Sequence, residues 1–461
     1  MNASTHLSPD EIRSLFAQAM SRMYRDEVPL YGALMELVSE VNAAALAADP
    51  SLAARLQRSD ALDRLDAERH GAIRVGTPRE LATLRRLFAV MGMAPVGYYD
   101  LAVAGVPVHA TAFRPVDAAA LARNPFRVFT SLLRLELIEE AALREKAAAI
   151  LERREIFTPR ALELIERFEQ AGGLDAEEAR EFVGEALETF RWHSEATVSH
   201  DTYQALLSAH RLIADVVCFR GPHINHLTPR TLDIDAAQDA MRARGIDAKA
   251  VIEGPPRRRC PILLRQTSFK ALQEPVLFPA GERADAGTHT ARFGEIEQRG
   301  LALTPKGRAL YDRLLGQARE AGGAGSTGDY PARLAAAFAG FPDDDDTLRR
   351  EGLGYYRYAL TEAGRADPDA VARGSLDDAI DAGLVTADPV IYEDFLPVSA
   401  AGIFQSNLGG DEQRAYAAQA NRDAFEQALG APVQDQFAIY AAIEQDSLRA
   451  LGVSGWAAPA C

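Results

Sequence analysis

The sequence predicts an α+β fold in which two β-α-β-β units form a central curved sheet, with helical segments before, between and after them. Three observations predict it. A strand-like segment bearing a histidine, a capped amphipathic helix and further strand-like segments occur in that order twice, about 155 residues apart. The residues between the two units and at both ends are rich in Ala, Leu, Glu and Arg at helical spacing. A length of 461 residues, 48% hydrophobic and 25% charged, suits a folded chain of about three folding units or one elaborated core.

Residues 1–60 are assigned to N-terminal helices. Ser8-Pro9-Asp10-Glu11 is an N-cap signature with proline at the first helical position, and Ile12, Leu15, Phe16 and Ala19 follow on one face. A second apolar-periodic stretch runs from Leu34 to Leu46. Residues 61–116 form the first half of the core. His70 to Gly76 reads as a strand. Thr77-Pro78-Arg79-Glu80 then opens a helix, striped by Leu81, Leu84, Leu87, Phe88 and Met91 and stopped by Gly92. Val96 to Ala104 and Val106 to Phe113 read as strands. Residues 117–215 are expected to be a helical insertion, broken at Asn124-Pro125, Thr158-Pro159 and Gly172-Gly173.

Residues 216–304 form the second half. His223 to Thr228 reads as a strand, and Leu232 to Gly245 as a helix capped by Asp233 or Asp235. Ala248 to Glu253 and Pro261 to Ala271 read as strands, residues 275–287 as a loop rich in Pro, Gly and Ala, and Thr288 to Gln298 as the last strand. Residues 305–461 are helix-rich and are expected to contribute to a substrate pocket. Within them the run Asp343 to Asp346 reads as an exposed turn or helix start, because successive aspartates lack the alternating spacing of a calcium loop.

The charge balance narrows the partners. Fifty basic and 66 acidic residues leave a net charge of −16, which disfavours nucleic acid. An anionic small substrate would need a local cationic pocket. Arg257-Arg258-Arg259 reads as a solvated turn. No run approaches the roughly 20 apolar residues of a membrane span, and Met1 to Asp10 lacks a secretory pattern, so no membrane partner is expected. Cys218, Cys260 and Cys461 share no metal-type or redox spacing, which points to a reducing cytoplasm. Oligomeric state is not legible.

Of the nine histidines, His6, His193, His200 and His210 read as surface or core residues. His109 and His289 are strand residues that could support a site from behind. Three positions stand apart. His70 heads the first unit, His226 occupies the equivalent place in the second, and Glu295 lies in the final strand. Two imidazoles and one carboxylate are the protein ligands of a facial triad, which leaves positions open on a divalent metal, most typically non-haem Fe(II). Repeats packed face to face would bring their equivalent strands to a shared centre. Strand parity puts His70, Ala72 and Arg74 on one face, with Arg74 ~13 Å along the strand, from where its guanidinium could reach back to a substrate carboxylate. Parity also puts Glu295, Glu297 and Arg299 together, so it leaves open which glutamate ligates. It separates His223 from His226, so both should not be ligands.

At these residues the sequence resembles the bacterial 2-oxoadipate dioxygenase/decarboxylase family, also called 2-hydroxyglutarate synthase. The resemblance is carried by His70-Gly-Ala-Ile-Arg74, Gly221-Pro-His-Ile-Asn-His226-Leu-Thr228, Phe293-Gly-Glu295-Ile-Glu297-Gln-Arg-Gly300 and Leu396-Pro-Val398-Ser-Ala-Ala-Gly-Ile-Phe404, and it covers nearly the whole chain. It implies a vicinal-oxygen-chelate-like core and Fe(II) bound by His70, His226 and a strand glutamate, assigned to Glu295 over Glu297. It implies substrate contacts from Arg74, from His70 and from Val398 through its backbone. The implied reaction takes 2-oxoadipate and O2 to 2-hydroxyglutarate and CO2 in lysine breakdown. The 2-oxo acid would chelate the metal through its keto oxygen and near carboxylate. Two other readings stay open: a non-redox metal-dependent isomerase or lyase on the same core, and a non-catalytic ligand-binding protein.

Overall fold

Each helix of the N-terminal layer starts on a proline whose missing N–H is no loss at that position. In the computed structural model, which describes residues 6–102, 105–280, 283–290, 292–320, 330–396, 421–453 and 456, these are α1 (Pro9–Glu27), α2 (Pro29–Ala48) and α3 (Pro50–Arg58). Ser8 caps α1 as expected, and the cap is a full capping box, with the Ser8 side chain on the Glu11 N–H and the Glu11 carboxylate on the Ser8 N–H. The buried stripe of α1 includes Ile12, Phe16, Met20 and Tyr24.

The first core unit begins with β1 (Arg69–Val75) and α4 (Pro78–Val90), again with a capping box, between Thr77 and Glu80. β2 (Ala94–Asp100) and β3 (Val108–Arg114) follow as expected, and α5 (Ala118–Arg123) leads out of them. The next element corrects the helical expectation for residues 117–215. Arg127–Leu133 is a strand, β4, which pairs parallel with β1 from His70↔Arg127 to Val75↔Leu132. Pro125 stops helical continuation, and Val128, Phe129 and Thr130 are of the β-branched and aromatic types that suit a sheet. β4 slots between β3 and β1 in a five-stranded sheet ordered β2-β3-β4-β1-β5. The rest of that stretch is helical: α6 (Ala141–Glu152), α7 (Pro159–Ala171), α8 (Ala176–Glu188), α9 (His200–Ala209) and α10 (Arg211–Val217).

The second unit is more irregular. β5 spans only Leu227–Pro229 and lies antiparallel to β1, with His70 opposite Thr228. α11 (Ile234–Ala243) is capped by Asp233 rather than Asp235. Ala248 to Glu253 forms isolated bridges to Phe269 and Gln266 instead of a strand. β6 (Leu264–Ser268) is followed by β7 (Gln273–Ala280) and β8 (Arg283–Thr290), a hairpin where a loop was expected. Its prolines and glycine suggested a loop, but Val276 and Phe278 alternate inward onto Tyr203 and Phe219, and that burial holds the ribbon. The expected strand from Thr288 to Gln298 is split. β8 ends at Thr290, and β9 (Glu295–Arg299) pairs with β6. At the split Gly294 lies against the Phe269 ring, where a Cβ would sit 2.1 Å away.

The C-terminal part contains α12 (Pro305–Glu320), α13 (Tyr330–Phe338), α14 (Asp345–Arg350) and a hairpin of β10 (Tyr356–Leu360) with β11 (Val385–Pro389), on which the helix Gln436–Ala450 packs. Asp344 caps α14, so the aspartate run is a helix start. The solvated-turn reading of Arg257-Arg258-Arg259 fails at Arg258, whose buried guanidinium donates to the carbonyls of Phe338, Phe341 and Pro342. Gly71, Ile73 and Val75 share the sheet face that packs, with Val128 and Leu132, on α1, α4 and α8. The opposite face presents His70, Ala72 and Arg74, and beside them Phe129 and Ser131 of β4 and Ala110 and Ala112 of β3. Among the described residues no helix is long and apolar enough to cross a membrane.

Candidate metal centre

Three backbone segments converge at one end of that face. β1 carries His70. The segment entering β5 carries His226, and it lies close over β1 at Gly71, where a Cβ would be 3.1 Å from the His226 carbonyl. β9 begins at Glu295 and is tied to the residues after β5 by the Thr231 N–H donating to the Glu297 carbonyl at 2.7 Å. The result is a cluster in which one ligand atom each from His70, His226 and Glu295 lie within 4.8 Å of one another. His70 Nε2 is 3.1 Å and His226 Nε2 3.6 Å from Glu295 Oε1. The two imidazoles meet edge to face at 5.3 Å, Phe395 packs on His70 and Phe293 on His226.

The surroundings set the charge of each donor. Burial pushes His226 down to about 4, so its imidazole is neutral near pH 7 and has a lone pair to give. Burial opposes ionisation of Glu295, but the His226 and His70 rings outweigh it and hold the carboxyl below its usual range. Gln266 Nε2 and Thr228 Oγ1 donate to Glu295 Oε1 at 2.8 and 3.1 Å, which fixes the carboxylate plane. Burial likewise opposes protonation of His70, yet the carboxylates of Glu297 and Glu295 raise it above an ordinary imidazole. Its Nδ1 lies 2.8 Å from Glu297 Oε2. A carboxylate behind an imidazole in this way orients the other ring nitrogen toward a metal.

Glu297 itself is engaged elsewhere. Arg299 donates Nε and Nη2 to its two oxygens at 2.8 and 2.9 Å, and Arg127 stands 3.8 Å away. Against the pull of burial, these cations and His70 hold it down to about 2. The network continues inward. Glu68 accepts from Arg127 and Arg230 at 2.8 and 2.9 Å, and Glu393 pairs with Arg64 at 2.7 Å and with Arg127. Burial without such partners would be costly for every one of these charges. The donor set therefore suits a divalent cation: two imidazoles and one ionised carboxylate at a common point, with a buried His226 Nδ1 that has no hydrogen-bond partner among the described residues.

Arg74 stands on the same face of β1, its side chain 27% exposed, and its charge reaches far enough back to lower His226 further. Its Nη1 donates to Asp215 Oδ2 at 2.7 Å. His223 points away from the cluster and lies 3.5 Å from Asp215 Oδ1, the same oxygen that His289 Nε2 contacts at 2.9 Å. His109 packs on Tyr98 and Phe425. Val398 lies outside the described residues. Reasoning on the sequence missed Thr228, Gln266, Asp215 and the buried arginines. Thr228 shares strand parity with His226, and Asp215 interrupts the apolar run Leu212-Ile-Ala-Asp-Val-Val217, so both left a readable trace.

Residues 16–407 match the profile of the 2-oxoadipate dioxygenase/decarboxylase family. The protein of that name from Pseudomonas putida is 62% identical over 455 residues, covering 98% of each chain. Its namesake from Escherichia coli (strain K12) is 60% identical over 450 residues, covering 97% of this chain and 99% of its own. The crystal structure of the Pseudomonas putida hydroxyglutarate synthase in complex with 2-oxoadipate matches with a TM-score of 0.90 at 60% identity, over 98% of this chain and 99% of that one.

Proposed function

This chain belongs to the 2-oxoadipate dioxygenase/decarboxylase family, and from that premise we propose that it converts 2-oxoadipate and O2 to 2-hydroxyglutarate and CO2, using Fe(II) held by His70, His226 and Glu295. The observation that carries the reading is the meeting of two imidazoles and one carboxylate at a common point, with Arg74 on the same strand face. Bound there, Fe(II) would supply the activation of oxygen that no protein side chain provides. Atoms balance when one oxygen of O2 enters the new carboxylate and the other the hydroxyl.

The residues of this chain bind, orient and shield. Arg74 receives the carboxylate distal to the keto group, a task that suits a planar fork. Between His70 and Arg74 the sheet presents the small side chains Ala72, Ala110, Ala112 and Ser131, with Phe129 beside them. Phe395 and Phe129 pack on one another beside His70 and keep water from that side. Glu297 holds the proton on His70 Nδ1, so that Nε2 is the ligating atom. Val398 is proposed to touch the substrate through its backbone, and His70 to contact it from the metal side. A role in lysine breakdown in the cytoplasm is proposed with the activity, and the free, buried Cys218 and Cys260 agree with a reducing compartment.

The test is anaerobic reconstitution with Fe(II), then addition of 2-oxoadipate and oxygen. Equal amounts of O2 consumed, CO2 released and 2-hydroxyglutarate formed are expected. Turnover of the 2-oxo acid without oxygen would replace this reading with a non-redox lyase or isomerase. A protein that takes up no divalent metal would point instead to ligand binding alone.

A further inference from the structure

Asp215 sits on α10 inside an apolar run and is 7% exposed. A carboxylate in such a place persists only when its lone pairs are satisfied. Oδ2 accepts from Arg74 Nη1 at 2.7 Å, and Oδ1 faces His289 Nε2 at 2.9 Å with His223 Nε2 at 3.5 Å. The second nitrogen of His289 is 2.9 Å from the hydroxyl of Tyr203 on α9, and its ring packs against Trp192 and Phe219. His223 is fixed in turn by Asn225 Nδ2 at 3.1 Å. The two imidazoles and Arg74 together hold the Asp215 carboxyl below its usual range, although burial pulls the other way.

We infer that Asp215 is a positioning residue that fixes the Arg74 guanidinium for the distal carboxylate of the substrate, and that the helices inserted ahead of β5 serve to deliver it. An unrestrained arginine loses considerable side-chain freedom when it binds a ligand. Here one Nη is already fastened to a carboxylate that is itself held by His289, whose other ring nitrogen is fixed by Tyr203. Nε and Nη2 remain for the ligand, in a plane set before it arrives. Asp215 and Tyr203 both come from the inserted helices, and His289 from β8, whose hairpin packs on them. The inference rests on the reading that Arg74 receives a substrate carboxylate.

The experiment compares Asp215→Asn with the unaltered enzyme, both loaded with Fe(II), on 2-oxoadipate and on 2-oxohexanoate, which carries a methyl group in place of the distal carboxylate. Loss of the charged partner is expected to raise KM for 2-oxoadipate about tenfold or more, while kcat/KM for 2-oxohexanoate stays within about twofold. If Asp215→Asn does not fold, Tyr203→Phe carries the same comparison, with a rise of about two- to threefold expected. Unchanged kinetics on both acids would overturn the inference, and so would an equal loss on both, which marks a merely structural role. Unaltered enzyme that consumes no oxygen with 2-oxoadipate would overturn the proposed function and this inference together. An active parent whose Asp215→Asn variant shows no loss specific to the acid with the distal carboxylate would overturn the inference alone.

Discussion

Glu295 and Glu297 stand two residues apart on one strand face, yet their surroundings give them different tasks. Glu295 is near both imidazoles and is steadied by the neutral donors Gln266 and Thr228, so its charge is left for a cation. Both oxygens of Glu297 are occupied by Arg299, and it also meets the back of His70 and, at 3.8 Å, Arg127. Strand parity named both carboxylates and left the choice open, because it reports the face and not the partner; the family resemblance favoured Glu295. Loss of a ligand and loss of its support should therefore separate in metal titration. Glu295→Ala is expected to abolish Fe(II) binding, whereas Glu297→Gln should weaken it about 10- to 100-fold. Equal loss in both would show that the two roles are not distinct. Arg74→Lys should lower kcat/KM for 2-oxoadipate about tenfold or more, since an ammonium does not reproduce two parallel hydrogen bonds. Full activity with lysine would remove the fork from the argument.

Elements were legible where local chemistry decides them. Ser8 and Thr77 cap their helices through contacts within the next three residues, and those contacts are written in the sequence, whereas the choice between Asp233 and Asp235 was settled only by the structure. β4 and the β7–β8 hairpin were not legible, because what stabilises them is distant: β4 needs β1 and β3 on either side, and the hairpin needs α9 beneath it. The C-terminal helix shows the same dependence on a distant partner. Its Glu444 is 4% exposed and accepts the N–H of Tyr356 at the start of β10. Burial raises its carboxyl to about 7. A carboxyl raised in the folded state contributes stability that is complete below the unfolded value of 4.5 and is lost as the pH rises through 7. The loss is about 3 kcal/mol. Glu444→Gln should thus raise the melting temperature at pH 8 and leave it nearly unchanged at pH 4. An equal effect at both pH values would show that the carboxyl is not ionising where it lies.

At the scale of the whole molecule, the proposed metal centre adjoins a charged core that joins distant parts of the chain. Glu68 precedes β1, Arg127 opens β4, Arg230 follows β5, Arg299 closes β9 and Glu393 follows β11, so the network fastens both core units to the C-terminal part. None of these arginines has a sequence signature, since each looks like an ordinary surface residue until the strands are paired. The same burial that makes the network specific makes it sensitive to acid. Burial opposes ionisation of Glu393, but Arg127 and Arg64 hold it down to about 2, and Glu68 is held well below its usual range by Arg230, Arg127, Arg64 and Arg299. A carboxyl depressed in the folded state gives stability that is present above the unfolded value of 4.5 and is lost as the pH falls through 2. For Glu393 that amounts to about 3 kcal/mol. Urea unfolding between pH 6 and 3 should therefore show a steep fall in stability. Glu393→Gln, which removes the titrating group, should be less stable than the parent by about 3–5 kcal/mol at pH 6, because Arg64 and Arg127 lose a buried anion. The two curves should converge toward pH 3, and a constant gap across the range would show that the Glu393 ion pairs do not drive the acid limb.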